Sequence, residues 1–193
     1  MFTKNESKVI RYLLAEINNP HSINQIAKEC GLSPNGAYKI LQKLENEGIL
    51  KHELISNIKS FKIDFKNEKT KNFLQLILTD KLEGRVKYRF EDLKSLKDLV
   101  KICILFGSYA TQKAKPKDLD LLIVLEKKKF KRYKEELNKL KNIIPVKVHD
   151  VLQTKEDLKK NLKDANEVVK GAIKRGVVLW GQDNLIEIFA KCQ

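Results

Sequence analysis

The chain has 193 residues, of which 42% are hydrophobic, and this is enough to bury the core of one or two domains. No apolar run approaches the roughly 18 residues that span a membrane, and residues 1–6 lack the apolar core of a secretory signal, so we expect a cytosolic protein without a membrane partner. The formal net charge of +14 favours polyanionic partners. Cys30, Cys103 and Cys192 lie far apart without CxxC spacing, which argues against both a disulfide framework and a zinc site.

The first third of the chain has the pattern of a small helical domain with a hairpin. Apolar residues at helical spacing predict helices over residues 5–18, 23–30 and 34–47. Polar and apolar residues then alternate over 49–55 and 60–65, which is typical of two strands joined by a turn. Three helices followed by a hairpin predict a winged helix-turn-helix domain.

The segment from Ser22 to Leu50 resembles the winged helix-turn-helix of MarR-like and related prokaryotic regulators, and the resemblance covers about residues 4–66. It implies that the third helix enters the major groove of DNA while the hairpin contacts phosphates. The candidate DNA-binding residues are Asn35, Tyr38, Lys39, Gln42 and Lys43 on the helix, with Lys59 and Lys62 on the hairpin. Such domains also serve as protein-docking or dimerising elements, so this alternative stays open, and a homodimer is expected by analogy.

The middle of the chain predicts a helical connector. Amphipathic helical patterns cover residues 67–80 and 89–99, and no Gly-, Pro- or Ser-rich linker interrupts them. We therefore predict a winged helix-turn-helix domain over 1–66, a connector over 67–100 and a second domain over 101–193. Residues 1–66 carry a net charge of +3 and the remainder +11, so the basic surplus belongs mainly to the second domain and its connector.

The strongest chemical signal is a pair of carboxylates, Asp118 and Asp120, at the start of an apolar strand. Side chains alternate along a strand, so both project to one side, about 6–7 Å apart along the backbone. Carboxylate oxygens suit Mg²⁺, which completes its coordination with water and phosphate oxygens. Gly107 and Ser108 end the preceding strand and offer N–H groups and a hydroxyl to a phosphate. The alternative without a functional site is that Asp118 and Asp120 belong to an ordinary solvated turn.

This arrangement resembles the nucleotidyltransferases related to DNA polymerase beta, specifically their small, minimal branch, over about the last half of the chain. The resemblance implies a small mixed sheet flanked by helices, and hence an α+β protein overall. It also implies a third carboxylate, for which Asp150 is the candidate, because Val146, Val148 and Asp150 alternate along a later strand. Asp118, Asp120 and Asp150 would then be the catalytic residues and would hold two Mg²⁺ ions. The alternative for Asp150 is a polar sheet edge.

The phosphate-binding part of this resemblance is incomplete. Many relatives carry an arginine and a glycine shortly after the Gly-Ser pair, whereas this chain has Tyr109 to Lys113 there. The candidates for holding the triphosphate are therefore Gly107, Ser108, Lys113 and Lys117, although an ammonium lacks the bidentate fork of a guanidinium.

The resemblance implies an enzyme that moves a nucleoside monophosphate from an NTP, with ATP as the expected substrate, to an acceptor hydroxyl. In small relatives the acceptor is often a partner protein, as in antitoxins that modify a toxin. An RNA end or an aminoglycoside-like molecule stays open. The competing hypothesis is a DNA-binding transcriptional regulator whose transferase-like domain only senses a nucleotide or dimerises.

Overall fold

The computed structural model describes residues 2–55, 57–111, 116 and 118–193. None of the helices in these ranges has the length and apolar character needed to cross a membrane.

The N-terminal module contains three helices and a hairpin, as the sequence predicts. Its elements are α1 (Lys4–Ala15), α2 (Ile23–Cys30), α3 (Pro34–Asn46), β1 (Leu50–Ile55) and β2 (Ile58–Ile63). The side chains of Ser22 and Ser33 accept hydrogen bonds from the first turns of α2 and α3, which fixes where these helices begin. β1 and β2 pair in antiparallel fashion and form the wing.

The connector is helical, as expected, and its second helix starts earlier in the chain than the amphipathic pattern indicates. The structure has α4 (Glu68–Thr79), α5 (Arg85–Leu93) and a 3₁₀ turn (Lys94–Leu96). Gly84 precedes α5 with a φ of 53°, a left-handed backbone angle at which glycine is favoured, and so permits a sharp entry into that helix. The domain boundaries at residues 66 and 100 remain predictions.

The C-terminal part is a mixed sheet flanked by helices, in agreement with the predicted fold. Its elements are β3 (Val100–Phe106), α6 (Gly107–Ala110), β4 (Asp118–Leu125), α7 (Phe130–Lys141), β5 (Lys147–Gln153), α8 (Lys155–Lys163), α9 (Glu167–Arg175), β6 (Val177–Trp180) and α10 (Gln182–Cys192). The strand order is β5-β4-β3-β6. β3 is antiparallel to both neighbours, whereas β4 and β5 are parallel.

The two faces of this sheet pack into different apolar clusters. One face packs against the N-terminal module, α4 and α8 to α10, and we call it the junction face. Its central strands contribute Ile102, Ile104, Leu122 and Val124. The other face packs against α5 and α7, and we call it the α7 face. Its central strands contribute Cys103, Leu105, Leu121 and Ile123.

Arg11 of α1 ties the N-terminal module to the rest of the protein. Its side chain is 3% exposed, and its guanidinium forms an ion pair of 2.9 Å with Asp80. The same group donates hydrogen bonds to the carbonyl oxygens of Ile77, Ile173 and Gly176 at 2.5, 3.2 and 2.8 Å. Since a buried cation is costly unless it is satisfied, these partners fix α1 against α4, α9 and the start of β6.

Candidate functional site

Asp118 and Asp120 open β4 on the junction face of the sheet. Further along the strand, Leu122 and Val124 continue the same face and are buried, whereas the two aspartates are only half-buried. The carboxylates therefore lie where the strand emerges from its helical cover. This places two hard oxygen ligands side by side in a position that a phosphate compound can reach.

The Gly107-Ser108 turn, where β3 ends and α6 begins, lies directly against Asp120. Gly107 has a φ of 69°, in the left-handed region that favours glycine. A Cβ atom at this position would overlap Asp120 Oδ2, so only glycine lets the turn approach the carboxylate so closely. Ser108 follows in α6 and is exposed. The structure thus brings together Gly107, Ser108 and the aspartates of β4.

Asp150, the predicted catalytic residue and third metal ligand, does not join this group in the structure. In the parallel register of β4 and β5, Asp150 is paired with Leu121 and lies on the α7 face. Its Oδ2 atom accepts hydrogen bonds from Lys134 Nζ at 2.8 Å and Tyr133 OH at 3.4 Å, and its side chain is only 8% exposed. Burial, assisted by this carboxylate, raises the pKa of Tyr133, which remains a hydroxyl donor. In the structure, Asp150 is therefore held on the α7 face by Lys134 and Tyr133.

The residue that stands across from Asp120 is His149. The two are register partners, with His149 Nδ1 3.4 Å from Asp120 Oδ1. No group of three or more His, Cys, Asp or Glu side chains in the described part of the chain is arranged to hold a metal. The donor set of Asp118 and Asp120 fits one divalent cation that takes its other ligands from phosphate and water. It does not fit the expected cage of three carboxylates around two ions.

Two arginines that the sequence analysis did not identify approach the Gly-Ser turn from α5. The guanidinium groups of Arg85 and Arg89 lie over the Tyr109 ring, with their carbons 5.4 and 5.8 Å from its centre. Arg85 also donates hydrogen bonds to the carbonyl oxygens of Ser108, at 3.3 Å, and Thr111. Guanidinium groups are thus present beside the turn, although residues 109–113, which directly follow it, include no arginine. In the sequence, the i, i+4 spacing of Arg85 and Arg89 places both on one face of a helix but does not show what that face contacts. The predicted phosphate ligands Lys113 and Lys117 lie outside the described residues.

The predicted DNA-reading residues of α3 form one exposed surface. Asn35, Tyr38, Lys39, Gln42 and Lys43 are all solvent-exposed. Gln42 Nε2 donates to Tyr38 OH at 2.6 Å, so these two side chains support each other. Lys43 forms an ion pair of 2.7 Å with Glu6 of α1, so its ammonium group already has a carboxylate partner.

The wing lysines are also held by carboxylates. Lys59 forms an ion pair of 3.1 Å with Glu45, and Lys62 pairs with Glu53. A groove of about 420 Å³ separates the wing from the beginnings of α2 and α3. It is lined by Ser22, Ile23, Asn24, Pro34, Asn35, Tyr38, Ile58 and Lys59.

Comparison with known proteins identifies both parts of the chain. Residues 91–185 match the family model described as polymerase beta, nucleotidyltransferase, and residues 2–51 match the one described as winged helix-turn-helix DNA-binding. No curated protein and no solved structure matched the chain significantly. The first match contains the Gly-Ser turn and both aspartates of β4, and the second contains α1 to α3. The chain therefore joins a winged helix-turn-helix domain to a nucleotidyltransferase domain of the polymerase beta family.

Proposed function

We propose that the protein is a metal-dependent nucleotidyltransferase that moves a nucleoside monophosphate from an NTP, with ATP as the expected substrate, to an acceptor hydroxyl. The observation that carries this proposal is the position of Asp118 and Asp120, side by side on the junction face with Asp120 against the Gly107 turn. The match of the surrounding residues to the polymerase beta family supports it.

In this proposal Asp118 and Asp120 hold the cation, and the Gly107-Ser108 turn receives the triphosphate. A divalent cation at the two carboxylates would neutralise charge that develops on the phosphates. The N–H groups of the turn and the Ser108 hydroxyl would donate hydrogen bonds to phosphate oxygens, with Lys113 and Lys117 as further candidate donors. The oxygen of the acceptor hydroxyl bonds to the α-phosphorus and its proton passes to water, while the bond from the α-phosphorus to the α,β-bridging oxygen breaks and pyrophosphate leaves.

The winged helix supplies the proposed second activity, binding to DNA. Asn35, Lys39 and Gln42 expose donors and acceptors on α3 that suit base edges in a major groove. A protein acceptor, as in antitoxins that modify a toxin, fits a chain that also controls its own promoter. The net charge of +14 makes a polyanionic acceptor such as an RNA end the competing choice.

Label transfer tests the enzymatic proposal. The purified protein is incubated with Mg²⁺ and each α-labelled NTP, first with a cell lysate and then with RNA. We expect labelled product from the wild type and none from Asp118→Asn or Asp120→Asn. Asp164→Asn, at the exposed C-terminal end of α8, is the matched control and should label as the wild type does. Equal labelling by all four proteins would contradict the proposal.

A second candidate is a transcriptional regulator whose transferase domain only senses a nucleotide. The observation in its favour is that, on the described strands β4 and β5, no third acid lies on the side of Asp118 and Asp120. This protein would bind duplex DNA with an affinity that changes when an NTP is added, and it would transfer no label. Fluorescence anisotropy of a labelled promoter fragment, measured with and without each NTP, separates the two candidates.

A further inference from the structure

β5 presents two nitrogen-containing side chains at the place where a third carboxylate was expected. Its register with β4 pairs Lys147 with Asp118 and His149 with Asp120. Register partners of neighbouring strands project to the same side, so all four side chains share the open end of the junction face. Lys147 and His149 are both exposed to solvent.

We propose that Lys147 and His149 replace the second metal ion of the site, which then binds a nucleoside triphosphate with a single divalent cation. This inference rests on the proposed function and specifies how that site recognises its substrate. Lys147 contacts the phosphates as a point charge, and His149 acts as a positioning residue for Asp120.

The charges of the site are consistent with this exchange. Three carboxylates around two divalent cations leave one net positive charge to receive a triphosphate. Two carboxylates, one divalent cation and one ammonium leave the same net charge. Because Lys147 is the register partner of Asp118, its ammonium is attached on the correct side of the sheet to supply that charge. A second divalent cation would have no third carboxylate to hold it, since Asp150 faces away and is bound to Lys134.

The position of His149 explains how Asp120 can be oriented without a second ion. His149 Nδ1 lies 3.4 Å from Asp120 Oδ1, and the Gly107 turn lies against Oδ2 of the same carboxylate. Both oxygens of Asp120 therefore have a neighbour that restricts rotation of the carboxylate. A ligand held in this way loses less conformational freedom when it binds a cation.

The test counts metal ions and measures nucleotide affinity independently of turnover. Mn²⁺ is titrated in the presence of ATP, GTP, CTP or UTP, with bound Mn²⁺ followed by electron paramagnetic resonance and bound nucleotide by calorimetry. We expect one Mn²⁺ for each nucleotide bound by the wild type. Lys147→Gln should weaken nucleotide binding by about 10- to 100-fold, because a charge-assisted contact is lost. Lys131→Gln, at an exposed lysine of α7, should not change it.

A converse variant tests the role of His149. His149→Asp places a carboxylate opposite Asp120, so the number of bound Mn²⁺ ions should rise to two for each bound nucleotide. A thermal melting curve shows whether the variant is folded. Two ions per nucleotide in the wild type, or unchanged binding by Lys147→Gln, would overturn the inference and leave the proposed function standing. Absence of binding to every NTP would overturn both. One ion, a weakened Lys147→Gln and no label transfer would support the inference and contradict the transferase.

Discussion

The two faces of the sheet use adjacent residues of β5 in opposite ways. On the junction face, His149 is half-exposed beside Asp120, where a nucleotide can reach it. On the α7 face, Asp150 is nearly buried, its charge is neutralised by Lys134, and it accepts a hydrogen bond from Tyr133. One step along a strand thus separates a residue of the open site from a structural ion pair. The comparison teaches that a carboxylate in a strand has a functional meaning only once its face is known.

The two faces of the sheet also differ in which parts of the protein pack against them. The junction face packs into the same apolar cluster as the N-terminal module, whereas the α7 face closes a cluster that belongs to the transferase domain and α5. The candidate nucleotide site therefore stands on the layer that connects the two domains. Changes on the junction face should affect both chemistry and domain attachment, and changes on the α7 face should affect stability alone.

The largest expected effect is on label transfer, when an acid on each face of the sheet is replaced. Asp120→Asn should reduce label transfer by at least about 100-fold, because a neutral amide is a poor ligand for a divalent cation. Asp150→Asn should stay within about threefold of the wild type, measured well below its melting temperature, because Asp150 faces the other cluster. Initial rates of label transfer from α-labelled NTP, measured for the wild type and both variants, test this prediction. Loss of transfer in a fully folded Asp150→Asn protein would contradict the assignment of faces.

The second prediction concerns the attachment of the N-terminal module. Arg11→Ala should lower the free energy of unfolding by about 3–5 kcal/mol, since it removes the ion pair with Asp80 and the guanidinium donor of the buried carbonyl oxygens. Lys8→Ala, on the exposed side of the same helix, should change it by less than about 0.5 kcal/mol. Urea unfolding followed by circular dichroism measures both. Similar midpoints for the two variants would show that the guanidinium does not hold the junction.

The third prediction uses two glycines with similar backbone angles. Gly31 and Gly107 have φ values of 63° and 69°, but a Cβ meets open space at Gly31 and Asp120 at Gly107. Gly31→Ala should cost about 1–2 kcal/mol of unfolding free energy from backbone strain alone. Gly107→Ala should cost about as much and should also lower label transfer by at least about tenfold, because the carboxylate of Asp120 must move. Equal transfer by both variants would contradict the close approach of the turn.

Local signals were sufficient to predict much of the architecture. Ser22 and Ser33 cap their helices as expected, because an N-cap hydrogen bond is formed within one turn of the chain. Alternation likewise placed Asp118 and Asp120 on one side of a strand.

The face of Asp150 was not predictable in the same way. The alternation of side chains correctly places Asp150 on the same face of β5 as Val148. Only the register between β4 and β5 decides which apolar cluster that face packs into. Register depends on the packing of the whole sheet. Arg85 reaches the Gly-Ser turn, and Glu6 pairs with Lys43, through tertiary contacts between segments distant in sequence. No local pattern encodes such partners.

The smallest expected effect is a pH dependence of the domain junction. Glu16, at the end of α1, forms ion pairs of 2.8 and 3.0 Å with Lys170 and Lys174 of α9, and its side chain is 11% exposed. Burial alone would raise the pKa of Glu16, but the two ammonium groups outweigh burial and hold it below the usual value of 4.5. A carboxyl whose pKa is lowered by folding stabilises the folded state above the unfolded value and loses this contribution as pH falls through the folded value.

Glu16→Gln should therefore be less stable than the wild type by about 1 kcal/mol at pH 7, and the difference should shrink towards zero at pH 3. Glu29→Gln, at an exposed position of α2, is the control and should show no such pH-dependent difference. Urea unfolding at pH 7 and pH 3 measures the difference in unfolding free energy between each variant and the wild type. The sign is informative, because a difference that grew at low pH would mean that burial dominates at Glu16. The junction face would then be joined to α1 by apolar packing and Arg11, with no contribution from this ion-pair cluster.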